Sequence, residues 1–248
     1  MSRGGVISTI AGGVGGPGPA TSVAISPCGV HWAGGWLYIG DGSTVRRVSA
    51  ATGALTTVAG DNAAGPADAG GTAVGSALSS ACGTALDGSG NLVIAAGSQV
   101  LVAAARTGSF YGRPMIAGHL HTVAGSAARS RYDWPPGDGG PAAKAALADA
   151  VDVSFDRAGN LLIADSGSPA DCGEELPVGS LVRVVAAKKG TFYGQRMTAG
   201  DIYTLAGVQS WGAGGQRRAG RQGLARQRDR VGPAGPEREP GRGRLRRE

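Results

Sequence analysis

Aromatics (5%) and charged residues (17%) are few in this chain of 248 residues, and cysteine and histidine are scarcer still, with three of each. The three cysteines (Cys28, Cys82, Cys172) are an odd number with no CxxC pair, so neither a metal site nor a disulfide framework is expected. Cys28 and Cys82 are each followed by glycine and read as small buried residues, since free cysteine packs as a small hydrophobe. The three histidines are too few for a histidine-rich metal centre. No apolar run approaches the roughly 20 residues that a spanning helix needs, so no membrane span is expected. Met1-Ser2-Arg3-Gly4-Gly5 lacks an apolar signal core, which leaves two expectations: a cytoplasmic protein, or a true start upstream.

Glycine is what the chain has in excess, 46 residues against a usual share of about 7%. It shows no period of three, which excludes collagen. Excess glycine among β-branched residues favours short strands joined by tight turns. The net charge of +6 suggests a nucleic-acid partner, but its location argues otherwise. Residues 208–248 hold eleven of the 24 basic residues and four of the 18 acids, a net of +7, which leaves the body at −1.

Four short signatures recur: Thr9-Ile10-Ala11-Gly12, Thr57-Val58-Ala59-Gly60, Thr122-Val123-Ala124-Gly125 and Thr204-Leu205-Ala206-Gly207. One β-like unit per several tens of residues is the mark of a solenoid or propeller. Each copy runs through a Gly/Pro/Ala-rich loop, a strand, a tight glycine turn, a very apolar strand ending near aspartate, a third strand, and the Thr-x-Ala-Gly strand. The third copy is clearest. Its loop is Gly137-Asp138-Gly139-Gly140-Pro141-Ala142, and residues 151–156 alternate apolar and polar with the period of two of a half-buried strand. Gly159 and Asn160 supply the positive φ of a tight hairpin. Residues 161–164 are apolar on both faces, and Asp165 ends that strand. In the first copy the same place is Asp41; in the second it is Ala96, while Asp68 keeps the loop aspartate.

Copies two and three share a further motif, Phe110-Tyr111-Gly112 and Phe192-Tyr193-Gly194, inside an expected hairpin between strands three and four. Packing of this corner on its own blade is favoured over a ligand platform, because aromatics usually serve burial.

Four strands per unit repeated around a centre make a β-propeller blade. The chain resembles the NHL repeat family over about residues 5–207. Gly137–Ala142 matches its GDGGPA loop, 159–165 its GNLYIAD strand, 181–185 its NRIR strand, and Thr122–Gly125 its TVAG strand. The Phe-Tyr-Gly insertion is similar to that of such proteins from high-GC bacteria. The resemblance implies a ring of about six blades, a binding role and an exported protein.

The expected fold is therefore all-β: a propeller segment of about three four-stranded blades (13–60, 61–125 and 126–207), preceded by an orphan outer strand at 6–12. Three blades form an open arc, not a closed ring, and unpaired blade edges favour self-association. Residues 208–248 read as a disordered basic arm able to bind nucleic acid or an acidic partner, or as a fourth blade translated in a shifted frame. Joining the last two bases of each codon to the first of the next permits Gly-Asn-Gly-Gly-Pro-Ala-Ala-Lys from Gly215 onward, a near copy of the loop at 137–144. From Glu237 the same shift permits a counterpart of 158–167. The shifted-frame reading is favoured, and under it the pI of 9.6 carries no functional information.

No catalytic, cofactor or metal residue is expected. His119 and His121 alternate onto one face without a third ligand nearby. The Gly-rich loops lack the lysine and helix of a phosphate loop. Asp68 and Asp138 are expected to bond amides within their own turns, and Asp41 and Asp165 to do so at the blade edge. The expectation is a non-catalytic scaffold for an unidentified protein or small ligand. The alternatives are a propeller hydrolase or lyase fragment, and nucleic-acid binding through the arginine-rich tail.

Overall fold

The computed structural model describes residues 19–61, 70–126, 137–166 and 180–207. The orphan strand at 6–12, Asp68, Cys172 and the tail lie outside them. Blade one consists of β1 (Gly29–Ala33), β2 (Trp36–Asp41), β3 (Thr44–Ser49) and β4 (Leu55–Ala59). In blade two, β5 (Ala81–Leu86), β6 (Leu92–Ala96) and β7 (Gln99–Ala103) are followed by a small hairpin, β8 (Gly108–Phe110) and β9 (Arg113–Met115), and then by the outer strand β10 (Leu120–Ala124). Blade three begins with a two-residue strand, β11 (Gly140–Pro141). Its main strands are β12 (Ala150–Phe155), β13 (Leu161–Asp165), β14 (Leu181–Val185) and β17 (Asp201–Ala206), with the hairpin β15 (Gly190–Phe192) and β16 (Gln195–Met197) before the last. Every sheet is antiparallel, ordered β1-β2-β3-β4, β5-β6-β7-β10 and β12-β13-β14-β17-β11, and none closes into a barrel. The fold is an open, propeller-like arc, with no α-helix among the described residues.

Strand register makes the three copies superposable. Ile39, Ile94 and Ile163 share one position: each lies between Val30, Thr84 or Val153 on the inner strand and Arg46, Leu101 or Arg183 on the third. β1 and β2 lie against β5, and β5 and β6 against β12. The core therefore sits between blades. Tyr38, Val45 and Ala59 meet Leu92, Ile94 and Leu101 at the first junction. Val93, Val100 and Val102 meet Val153, Leu161 and Ile163 at the second. β6 has a blade on each side and is buried along its whole length, which explains its unbroken apolar sequence. Each such Val, Leu or Ile contributes roughly 1.5–3 kcal/mol on full burial.

The signature glycine has a geometric cause. Gly60, Gly125 and Gly207 have φ of +88°, +78° and +88°, and a Cβ at each would collide with the carbonyl oxygen of Ser43, Ser98 or Ser180. The loop alanine then joins successive blades. The amide of Gly60 donates to the Ala73 carbonyl and that of Gly125 to the Ala142 carbonyl, while Ala73 and Ala142 donate to Gly118 and Gly200.

The expectation of two unpaired thiols is corrected. Cys28 and Cys82 form a disulfide with Cα atoms 4.9 Å apart. They occupy matching places one repeat apart, where neighbouring blades converge. Side chains at Gly29 and Gly40 would strike the Cys82 backbone, so glycine there lets the strands approach within disulfide reach. The odd cysteine total concealed this pair.

Candidate functional site

The polar residues gather into two constellations, each repeated twice. The first lies at the turn between the two innermost strands. Asp156 Oδ1 accepts the amides of Ala158 and Asn160 (2.8 and 2.9 Å), and Oδ2 accepts Asn160 Nδ2 and the Tyr193 hydroxyl, both at 2.8 Å. Asn160 is buried, and its Oδ1 accepts the Ala187 amide at 2.9 Å. Blade two repeats the arrangement. Asp87 accepts the amides of Ser89 and Asn91, Asn91 Nδ2, and the Tyr111 hydroxyl at 2.9 Å, while Asn91 Oδ1 accepts the Ala105 amide. Gly159 has the expected positive φ of +84°. Asn160 does not share it; its side chain staples the turn to the end of the third strand.

The Phe-Tyr-Gly corners therefore bond to their own blades. Tyr111 and Tyr193 sit at φ of +52° and +50°, a costly conformation for a bulky residue. The hydroxyl bonds to Asp87 and Asp156 hold the tyrosines there. Phe110 and Phe192 fold back over Gly108 and Gly190, where a Cβ would touch the rings. The next hairpin residue ties down the signature: Arg113 Nη1 donates to the Thr122 carbonyl, and Gln195 Nε2 donates to that of Thr204 at 3.0 Å.

Electrostatics follow from these bonds. Burial raises the Tyr111 phenol far above its ordinary value of 10.0, and the adjacent Asp87 carboxylate raises it further. Tyr193 is pushed up chiefly by its bond to Asp156. Burial pushes the Asp156 carboxyl up, but the donors from Asn160, Tyr193 and Ala158 outweigh it and hold the group below its usual range.

The second constellation is a charge network around a buried arginine. Arg183 is fully buried. Its Nη2 lies 2.5 Å from Asp138 Oδ1, its Nη1 3.8 Å from Asp165 Oδ2, and Asp138 Oδ2 accepts the Thr204 amide. Asp138 thus reaches across its blade instead of bonding within its own turn, as the sequence suggested. Gly139, with φ of +76°, and the bridge pairs Gly140–Ile202 and Pro141–Asp201 lay the loop on β17 for that reach. Asp165 Oδ1 caps the amides of Ala148 and Asp149 at 2.8 and 3.0 Å. Burial raises its carboxyl, and those amides with Arg183 only partly offset the shift. In blade one Asp41 accepts the Ser26 amide and pairs with Arg46 Nε at 2.9 Å. Blade two has Leu101 and Ala96 at the arginine and aspartate positions, both buried. It lacks both charges together, in keeping with the cost of an unpaired buried charge.

The histidines do not converge. His119 Nδ1 bonds the Gly70 carbonyl at 2.8 Å, and His121 Nε2 accepts the Ile116 amide at 3.1 Å. No group of three or more His, Cys, Asp or Glu side chains is arranged around a metal position among the described residues.

Sequence reasoning missed the tyrosine–aspartate–asparagine network, although a signal existed. Copy one has Ala33 and Trp36 at the Asp and Asn positions, and it also lacks the Phe-Tyr-Gly hairpin. All three partners are present together or absent together. No protein-family model matches this chain, and no curated protein matches it either.

Proposed function

We propose that the chain is a non-catalytic repeat scaffold of the NHL β-propeller type that presents loops and hairpins to a protein or small ligand. One observation carries this reading: the aspartates, asparagines and tyrosines that recur between copies spend their hydrogen bonds on tying strands and turns of one blade together. A carboxylate holding four internal donors is a poor general base, and its recurrence in two blades marks a frame. The Cys28–Cys82 bond supports folding in an oxidising compartment, in line with the export that the resemblance implies.

Calorimetric titration of the full chain with calcium and with zinc separates this reading from a propeller hydrolase or lyase. The scaffold takes up neither ion stoichiometrically. Tight one-to-one binding of either would favour the enzyme.

A further inference from the structure

Among the described residues the arc has two open faces, and the repeat identifies them as the two halves of one interface. On the inner strand, Val30 of blade one corresponds to Thr84 and Val153. Thr84 and Val153 face a preceding blade and are each 4% exposed, whereas Val30 is 66% exposed and Trp32, two residues on, is 61% exposed. At the other end, Val182 of blade three corresponds to Val45 and Val100. The same side chain at the same place is 0% exposed in the two blades that have a successor and 41% exposed in blade three, which has none among the described residues. The signature alanine behaves alike: Ala59 and Ala124 are buried and Ala206 is exposed. The neighbouring blade decides burial at the valine and alanine positions, where residue type is constant, and the same holds on the inner strand between Val30 and Val153. Each open face carries a groove, about 450 Å³ beside Trp32, Leu37 and Val48 and about 300 Å³ beside Val151, Leu181 and Val182.

We propose that a second copy of this chain occupies these faces head to tail, with the blade-three face of one copy seated on the blade-one face of the next. The occupant follows from continuity with the interfaces already present. At both junctions within the chain, the Val45/Val100 face of one blade meets the Thr84/Val153 face of the following one. Blade one of another copy offers blade three that same kind of neighbour. The residues that meet are apolar (Val182 and Ala206 against Val30 and Trp32), so no buried charge is left unpaired. Exposed apolar patches of this kind mark interaction sites. A head-to-tail contact closes a ring where its rotation allows and otherwise extends; in a two-copy ring all four faces are used. This contact uses blade faces, not the strand edges through which self-association was expected. This inference is independent of the scaffold reading.

Sedimentation velocity of the full chain at micromolar concentration, with Val30→Asp and Val182→Asp variants, tests the proposal. The native chain is expected to assemble. Both variants are expected to be monomers with unchanged circular dichroism, because each side chain is exposed within one copy. Mixing the two variants in equal amounts should restore a heterodimer, because the intact Val182 face of one variant meets the intact Val30 face of the other. A folded native monomer at all concentrations overturns the proposal. So does a Val182→Asp variant that still assembles, which would indicate pairing of blade-one faces with each other, and so does a variant mixture that stays monomeric.

Discussion

At the scale of single residues, the same hydrogen bonds recur in blades two and three. Tyr193→Phe removes one of the donors to Asp156 and should cost about 0.5–1.5 kcal/mol in urea unfolding. It should also let the Asp156 carboxyl titrate higher. The native depression of Asp156 supplies stability at pH above its unfolded value of 3.8 that is lost as pH falls through the folded value. Tyr193→Phe should therefore flatten the acid limb of the stability curve. A variant with an unchanged acid limb would contradict the assigned bond. Tyr111 has the opposite sign. Its raised phenol keeps its proton in the folded state, so its contribution is complete below 10.0 and is lost as pH rises beyond it. Absorbance titration should find Tyr111 ionising only with alkaline unfolding, and Tyr111→Phe should remove that delay.

At the scale of elements, the repeat signature was legible because its glycine answers a backbone demand. Gly125→Ala meets both a φ of +78° and the Ser98 carbonyl, and should cost more than about 1 kcal/mol. Strand order within each blade was equally legible, from period-two alternation in β12 and the unbroken apolar run of β6. The side-chain networks were not, because they join residues as much as 24, 45 and 66 positions apart that only the folded blade brings together. Blade two suggests a direct test of the buried charges. Arg183→Leu alone leaves Asp165 buried beside no cation and should destabilise by about 3–5 kcal/mol. Adding Asp165→Ala, which recreates the Leu101 and Ala96 pair, should recover part of that loss, although the caps on Ala148 and Asp149 go with the carboxylate. A double variant no more stable than the single one would show that the two charges are not coupled.

At the scale of the whole molecule, three blades share two junctions, and one disulfide spans the first of them. Closing a loop across a separation of 54 residues, the Cys28–Cys82 bond should be worth about 2–4 kcal/mol. Reduction, or Cys82→Ser, should lower the thermal midpoint of the native chain accordingly. The open arc was legible in the repeat count, but this bond was not, because a cysteine pair among three has no fixed partner. Nor was the exposure of particular side chains, since Val45, Val100 and Val182 look alike until their neighbours are known. Sedimentation equilibrium of the folded full chain tests the proposed pairing of the two open faces between copies. The expected mass is twice the chain mass of 24.5 kDa or a higher multiple, and a single folded species at 24.5 kDa across all concentrations would overturn the pairing.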